Sequence, residues 1–300
     1  MIDIDRQATW HIRAEKVVNR VCTAFPTPEF ENWELCEELI SSATATCEQI
    51  DKFEIETENS AWLLNQAAFY LNEKGKYNNI IHLYQKSLEI REKILGENHI
   101  DIATCLNNLS LFYYEQGEYE EAKSLHQRSL TIVKKVLGKN HLNTAASLNN
   151  LALLYYEEGE YKQASLLFKK SLSIRRKLLG ANHPDVATSL NNIAALYQAQ
   201  GKYIKAEKLY QKSLVIRERS LDQYHPDIGE SLNNLAGLYS TLGKYEQAES
   251  FFQRSMIINE LSLGSEHPNI ATILNNFALF YDKQGKYDLA ESLVSKKFSY

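Results

Sequence analysis

The sequence predicts an all-α solenoid made of helix pairs that repeat along most of its 300 residues. Two observations support this prediction. A glycine recurs every 42 residues and a tyrosine follows it two residues later, at Gly75/Tyr77, Gly117/Tyr119, Gly159/Tyr161, Gly201/Tyr203, Gly243/Tyr245 and Gly285/Tyr287. Apolar residues around each glycine recur at three- and four-residue steps, the spacing of one helix face. A fixed period of this length is typical of stacked units rather than of a domain around one central site.

The first 58 residues do not follow the period, and we expect them to form a helical cap or linker. Helices are predicted over residues 7–22 and 29–52, with a break at Phe25-Pro-Thr-Pro28. Trp10, Trp33 and Phe53 supply apolar surface that would cover the open end of the stack, because the terminal units of solenoids need such a cover.

Residues 59–300 are predicted to form six repeats, the last of them truncated, and the unit that begins near Ala187 shows the pattern most clearly. The apolar face of its first helix is formed by Leu190, Ile193, Ala194 and Tyr197. Gly201 ends this helix, since glycine readily takes the left-handed conformation at a helix end. A second helix is predicted from Tyr203 to about Leu221.

Two columns of small residues predict that the helices of a pair lie close together. The first column is Ala68, Ser110, Ala152, Ala194, Ala236 and Ala278, and the second is Ala122, Ala164, Ala206, Ala248 and Ala290. A larger residue in either column would cost about 1–3 kcal/mol through overpacking. Ile80 interrupts the second column, so the first repeat is expected to pack differently.

A histidine-containing triplet precedes each later first helix. The copies are His183-Pro184-Asp185, His225-Pro226-Asp227 and His267-Pro268-Asn269, with His99-Ile100-Asp101 and His141-Leu142-Asn143 as weaker forms. The Asp or Asn that ends each triplet is expected to cap the next helix by accepting its free N–H groups. We therefore interpret these histidines as turn residues rather than as acid–base catalysts.

Composition and motifs exclude several functions. The net charge of −5 gives no basic footprint for nucleic acid, and no apolar run approaches the twenty or so residues of a membrane span. The acidic N-terminus lacks an apolar signal core, so a cytoplasmic location is expected. Cys22, Cys36, Cys47 and Cys105 have no metal-like spacing and are predicted to be reduced thiols.

No catalytic pattern stands out from the repeat. Every Gly-Lys is followed by Tyr or Asn, so the chain lacks the phosphate-binding loop needed for ATP hydrolysis. No serine–histidine–aspartate arrangement or metal-ligand spacing is present. We therefore expect a protein that is not an enzyme, with no cofactor and no catalytic or metal site.

The spacing L-x-x-A-x-x-Y, followed by G-x-Y-x-x-A, resembles the tetratricopeptide repeat. The 42-residue period with L-G-x-x-H-P-D resembles the subclass found in kinesin light chains and many bacterial repeat proteins. The resemblance covers about residues 60–300 and implies a right-handed superhelical solenoid of tetratricopeptide-type helix pairs. Ile80, Asp222 in place of the usual glycine, and the truncated final unit depart from the pattern.

The resemblance also implies a peptide-binding groove. In kinesin light chains the matching asparagine contacts the backbone of a cargo peptide, which assigns this role to Asn107, Asn149, Asn191, Asn233 and Asn275. The alternative is that these residues bond the backbone of the neighbouring repeat and fix the stacking. The second asparagine column, from Asn108 to Asn276, is assigned to structure between repeats.

Other positions on the same helix face vary between repeats, as a ligand-reading surface should. The predicted N-terminal half of the groove contains Leu111, Leu153, Tyr114, Tyr156, Glu115 and Glu157. The equivalent later positions are Ala195, Gly237 and Leu279, then Gln198, Ser240 and Asp282, then Ala199, Thr241 and Lys283. If the glutamates bind a ligand, it should be a peptide with Lys or Arg near an apolar anchor. Solvated surface glutamates are the alternative.

These features predict a non-enzymatic interaction scaffold that binds an extended peptide or a partner helix in its concave groove. The alternative function rests on Val21–Leu39, which resembles the helical stretch before the repeats of STAND-type signalling NTPases. That resemblance implies a sensor or regulatory arm without its own NTPase module. Nucleic-acid and membrane partners are not expected.

Overall fold

The computed structural model describes residues 2–27, 32–74, 79–264 and 267–298. These residues form fourteen α-helices and no strand, which confirms the predicted all-α class. The chain divides into two compact units, residues 1–147 and 148–300.

Successive helices pair along the chain in both units. The first unit contains α1 (Ile2–Ala24), α2 (Trp33–Phe53), α3 (Glu58–Glu73), α4 (Ile80–Leu95), α5 (Ile100–Glu115), α6 (Tyr119–Leu137) and the start of α7 (Leu142–Glu157). The second contains the rest of α7 and α8 (Tyr161–Leu179), α9 (Pro184–Ala199), α10 (Tyr203–Ser220), α11 (Pro226–Thr241), α12 (Tyr245–Leu263), α13 (Pro268–Asp282) and α14 (Tyr287–Phe298). Odd-numbered helices from α3 onward are the first helices of the repeats.

The turn between α9 and α10 shows how each pair closes. Gly201 has φ of 70° and donates its N–H to the Gln198 carbonyl over 2.9 Å. The Lys202 N–H reaches the Tyr197 carbonyl over 2.8 Å. These bonds satisfy carbonyls that a helix end leaves free, so glycine ends the helix where the sequence predicts. Gly75 and Tyr77, the first members of the period, lie outside the described residues.

The small-residue columns lie in the interior of the pairs. Ala68, Ser110, Ala152, Ala194 and Ala236 are fully buried, and so are Ala122, Ala164, Ala206 and Ala248. In the last repeat Ala278 is 5% exposed and Ala290 is half-buried. A serine at a third periodic position crosses between the two helices. The Oγ atoms of Ser87, Ser129, Ser213 and Ser255 donate to the carbonyls of Ala61, Ala103, Ala187 and Gly229 over 2.6–2.9 Å. This bond requires close approach of the two helices, which the small columns permit.

The N-terminal helices form part of the first core, but their predicted bounds and one predicted contact were wrong. Helix α1 runs from Ile2 to Ala24 rather than over 7–22, and α2 begins at Trp33 rather than at residue 29. Val18 and Ile50 are buried in one apolar cluster with Leu64 of α3. Trp10 does not cover the stack, because its side chain is 55% exposed.

The side chain of Trp33 and the Pro28 end of the predicted break lie outside what the structure describes. Phe53 is half-buried against the first core, where it packs as a partly buried neighbour. Of the residues predicted to cover the stack, Phe53 on α2 therefore packs against the first core, whereas Trp10 on α1 does not.

Histidine, not the residue two places later, caps α5, α7, α9, α11 and α13, whereas Thr57 caps α3. The Nδ1 atoms of His99, His141, His183, His225 and His267 accept the N–H of Asp101, Asn143, Asp185, Asp227 and Asn269 over 3.1–3.3 Å. The prediction that Asp or Asn caps the helix was wrong, because these residues already lie within the first turn. Asp185 and Asp227 there place negative charge at the positive end of the helix dipole.

Ile80 coincides with a later start of the second helix in the first repeat. It is fully buried and is the first residue of α4, whereas α6, α8, α10 and α12 begin three residues before the small residue of their own column. Asn79 precedes it with φ of 67°, a left-handed conformation that asparagine tolerates better than most residues. A large side chain in the small column thus coincides with a later helix start.

One repeat carries a compensating pair that the sequence pattern did not reveal. Gly229 stands where Ala61, Ala103 and Ala187 occupy the other repeats. The Asn259 amide fills the space where a Cβ of residue 229 would lie, and its Nδ2 donates to the Ser255 carbonyl over 2.8 Å. Asn259 itself replaces the arginine found at position 217 of the preceding repeat.

We expect alanine to have opposite effects at the two glycines of α11. A Cβ at Gly237 meets no atom within 4 Å, so Gly237→Ala should raise the free energy of unfolding by about 0.5–1 kcal/mol, the helix-propensity difference. Gly229→Ala should lower it by about 1–3 kcal/mol, because the new Cβ overlaps the buried Asn259 amide. Urea denaturation followed by circular dichroism measures both values.

The Asn259→Ala background provides the control for this comparison. There the added Cβ at residue 229 has room, so the same Gly229→Ala change should no longer destabilise the protein. Equal effects of Gly229→Ala in the two backgrounds would contradict the assignment.

Candidate functional site

The second unit contains a groove with a volume of about 540 Å³, which we call the α9–α13 groove. Its walls come from the first helices α9, α11 and α13, with Tyr156 from α7. Those helices contribute Ala195, Gln198, Ala199, Asn233, Asn234, Gly237, Ser240, Thr241, Asn276, Leu279 and Lys283. Tyr203, Tyr210, Phe252 and Phe280 complete the lining. The predicted helix register therefore places most of the variable positions of the later repeats in one cavity, although Asp282 is not among them.

An asparagine ladder runs through the repeats that form this groove. Asn192, Asn234 and Asn276 donate their Nδ2 to the Oδ1 of Asn149, Asn191 and Asn233 over 2.9, 3.3 and 3.4 Å. Asn108 donates in the same way to Asn65 over 3.3 Å in the first unit. Each bond joins the second asparagine of one repeat to the first asparagine of the repeat before it, so both columns take part in the stacking.

Burial distinguishes the members of the first asparagine column. Asn149, Asn191 and Asn233 are only 6%, 3% and 9% exposed, whereas Asn275 is exposed. Asn191 is fully used, because its Nδ2 also donates to Glu230 Oε1 over 3.2 Å. Asn149, Asn191 and Asn233 therefore bond a neighbouring repeat, through its asparagine side chain and not through its backbone as the alternative predicted. Ligand contact by any of them stays a prediction.

The ladder leaves both kinds of hydrogen-bonding group available in the groove. Within the described residues, the Nδ2 of Asn233 has no partner, and neither do the Oδ1 atoms of Asn234 and Asn276. The ladder bonds hold these amides in one orientation. A ligand would therefore meet a donor and two acceptors whose directions are set before it binds.

The rest of the lining is neutral, with apolar surface and small side chains. Tyr210 and Phe252 are almost fully buried beneath the amides, and Tyr156 is half-buried at one side. Burial is the main cause that raises the pKa of the Tyr156 hydroxyl, with a smaller contribution from Glu157. Lys283 is the one charged residue among the described lining residues. The groove is thus shaped for hydrogen bonding and apolar contact more than for charge.

The predicted groove residues of the first unit have their own neighbours. The ring centroids of Tyr114 and Tyr119 lie 5.7 Å apart. Leu111 is partly exposed. Glu115 accepts a hydrogen bond from Asn72 Nδ2 over 2.6 Å. Desolvation raises the pKa of Glu115, while the bond from Asn72 lowers it. This carboxylate is therefore engaged with the preceding repeat rather than only solvated.

Leu153 and Glu157 belong to the second unit and differ in burial. Leu153 is half-buried against the cluster of Ala152, Ala164 and Phe168, whereas Glu157 is exposed. Neither residue lines the α9–α13 groove, although Tyr156 between them along the chain does.

His126 is a residue that the sequence reasoning missed. It occupies the column of Tyr84, Phe168, Tyr210, Phe252 and Val294, of which the first four are aromatic. Its side chain is 5% exposed, and its Nδ1 lies 3.0 Å from the Oδ1 of Asn107, one of the predicted ligand contacts. Burial lowers its pKa from 6.5 to about 4. Alignment of the aromatic column across repeats was the signal that could have found it.

The described residues contain no group of three or more acidic, histidine or cysteine side chains able to hold a metal ion. The four cysteines are free, and burial raises the pKa of each thiol. No described helix has the length and hydropathy needed to span a bilayer.

Paired helices stacked through periodic contacts, with a groove along the first helices, define a helical repeat protein. The family model described as tetratricopeptide repeat matches residues 59–122, 106–177, 167–219, 185–260 and 227–296. The chain therefore belongs to the tetratricopeptide repeat family. Proteins of this family generally act as non-catalytic scaffolds that bind protein partners.

Solved structures share this fold. BtubC (BKLC) from P. vanneervenii is 21% identical with a TM-score of 0.60, over 76% of this chain and 92% of that one. The nearly identical TPR-like repeats of a kinesin light chain-like protein from Podosopora anserina are 26% identical with a TM-score of 0.51, over 67% and 95%. The apo form of RapI is 18% identical with a TM-score of 0.57, over 80% and 96%. No curated protein sequence matches the chain.

We expect His126 to make the protein sensitive to acid. Its pKa is about 4 when folded and about 6.5 when unfolded, so the unfolded state binds more protons between these values. The free energy of unfolding is therefore unaffected by His126 above about pH 6.5, and it decreases as the pH falls toward 4. His126→Phe should remove this loss, which is at most about 3 kcal/mol because one pKa unit is worth about 1.4 kcal/mol.

Urea denaturation of both proteins at several values between pH 7 and pH 4 measures the effect. All other titratable groups are shared by the two proteins, so the difference between the two curves isolates His126. Parallel curves would show that His126 is not held neutral by the fold.

Proposed function

We propose that this protein is an interaction scaffold that binds an extended peptide segment of a partner protein in the α9–α13 groove. The observation that carries the proposal is the set of unpartnered amide atoms on Asn233, Asn234 and Asn276. An extended backbone presents carbonyls and N–H groups in alternation, and these amides offer a partner to each. Membership of a family of protein-binding scaffolds supports the same conclusion.

Preorganisation supports binding by these particular side chains. An asparagine fixed by a ladder bond does not lose rotamer freedom when a ligand arrives, and such freedom costs about 0.5–1.5 kcal/mol per immobilised side chain. Asn233 and Asn276 share one ladder bond, and Asn234 is held by Asn191. The interaction between repeats and the recognition of peptide would thus use opposite ends of the same amides.

The lining defines the side chains that the peptide would carry. Ala195, Ala199 and Gly237 leave room for a ligand side chain between the helices, and Leu279 offers half-exposed apolar surface. Lys283 favours a carboxylate at the α13 end. A basic side chain of the peptide, predicted from Glu115 and Glu157, would have to compete with Asn72 at Glu115.

The sensor-arm alternative stays a prediction. It requires α1 and α2 to dock a nucleotide-driven switch, and within the described residues these helices pack onto α3 of their own chain. This packing is equally compatible with a simple cap.

Filling the groove without touching the ladder tests the proposal. Gly237 lines the groove and has no atom within 4 Å of its potential Cβ, so Gly237→Leu places an isobutyl group where the peptide should lie. We expect peptides selected by the wild-type protein from a displayed random library to bind Gly237→Leu at least about tenfold more weakly, since a blocked central contact costs about 2 kcal/mol or more. Fluorescence anisotropy with labelled peptides measures this.

Gly237→Ala is the matched control, because it adds the Cβ without filling the groove and should keep near wild-type affinity. Circular dichroism verifies that both variants remain helical. Selection of no peptide, or equal binding by the wild-type protein and Gly237→Leu, would contradict the groove as the site. Substituting the asparagines would be a weaker test, because it also breaks the ladder.

A further inference from the structure

A second exposed groove lies between the two N-terminal helices and has no role in the proposed function. It has a volume of about 510 Å³, and we call it the α1–α2 groove. Its described lining is Trp10, Arg13, Ala14 and Val17 from α1, with Gln49, Lys52 and Phe53 from α2. Trp10 and Val17 are 55% and 48% exposed. Large apolar side chains in one concave strip are typical of a contact surface for another molecule.

Helix α1 presents apolar residues on two faces, which explains why the groove is left open. Ala14 and Val18 point into the core shared with α2 and α3. Trp10, Ala14 and Val17 follow each other at four- and three-residue steps, so they form a second stripe beside the first. On α2, Ile50 is fully buried while Lys52 and Phe53 border the groove. The α1–α2 pair thus has an apolar face that no described part of the chain covers.

The charged residues of the described lining are both cations. The Arg13 guanidinium lies 5.2 Å from the Trp10 ring centroid, and Lys52 Nζ lies 5.5 Å from the Phe53 ring centroid. Neither forms an ion pair with a described residue, whereas Lys93, Arg128 and Lys244 do so elsewhere in the chain. An apolar strip with one unpaired cation on each wall is complementary to an apolar segment flanked by carboxylates.

We propose that the α1–α2 groove docks an acidic amphipathic helix of a partner protein. The apolar stripe of that helix contacts Trp10, Val17 and Phe53, and its flanking carboxylates face Arg13 and Lys52. A helix fits because both walls of the groove are helices, and a third helix laid between them buries its apolar stripe in the way α3 packs on α1 and α2. This surface is separate from the α9–α13 groove and does not depend on a ligand there.

A stapled helical peptide probes the surface in the full chain. It carries leucines at i, i+3, i+4 and i+7 with glutamates on both flanks, and its matched control replaces each glutamate by lysine. We expect the glutamate peptide to bind and to shift tryptophan emission to shorter wavelength, a signal that Trp10→Phe removes. The lysine peptide should bind at least about tenfold more weakly, because exposed charge pairs each contribute up to about a fivefold factor.

Charge reversal makes the test specific. In Arg13→Glu/Lys52→Glu the preference should invert, so that the lysine peptide binds more tightly than the glutamate peptide. Arg13→Ala/Lys52→Ala should lose the preference without inverting it, and it serves as the second variant if the reversal disturbs folding. Gly237→Leu, which fills the other groove, should leave binding of this peptide unchanged.

Three results would overturn the proposal. The first is no binding of the glutamate peptide, and the second is a preference that survives the charge reversal. The third is a chain that sediments as a dimer and becomes a monomer on Trp10→Asp substitution, since a second copy would then be the occupant of the groove.

Discussion

A buried serine hydroxyl that reaches across to the partner helix sets the geometry of four of the repeats. Ser87, Ser129, Ser213 and Ser255 are completely shielded from water, and each donates to a main-chain carbonyl of the facing helix. Such a bond forms only when two helix backbones lie close together, which explains why alanine fills the neighbouring columns. An unpaired hydroxyl in that position would lower the free energy of unfolding by about 1–3 kcal/mol. The hydrogen bond therefore stabilises the helix pair and also favours one spacing between its helices.

The asparagine ladder then joins the pairs and shapes the groove. Because Asn234 and Asn276 point their amide nitrogens at the preceding repeat, their oxygens are left toward the cavity, and Asn233 presents the complementary nitrogen. Stacking is therefore not confined to the second asparagine column, as the sequence alone suggested. The same side chains serve the neighbouring repeat at one end and remain available at the other.

Periodicity made much of this fold predictable, and departures from periodicity account for most of what was missed. The all-α class, the turn at Gly201 and the buried alanine columns follow from residues that recur at one spacing. The histidine caps were missed because aspartate is the commoner cap and the triplet contains both. The exposure of Trp10 was not predictable, because burial of a residue outside the repeat depends on a neighbour that the period does not identify. The Asn259 amide fills the space that the missing Cβ of Gly229 leaves. In the sequence each of the two residues only departs from its own column, so the pairing could not be predicted.

The ladder bond has a consequence for how proteins of this architecture change length. Each bond connects residues 43 apart, one more than the period of 42, so it always links a unit to the one before it and never to a fixed site in the chain. If a whole unit were deleted or duplicated, each second-column asparagine would still find a first-column asparagine in the unit before it. The array would stay stable, because stability in such arrays comes from contacts between nearest neighbours. Gene duplication can thus lengthen the array without inventing a new interface, provided that a local exchange such as Gly229 with Asn259 is copied as a pair.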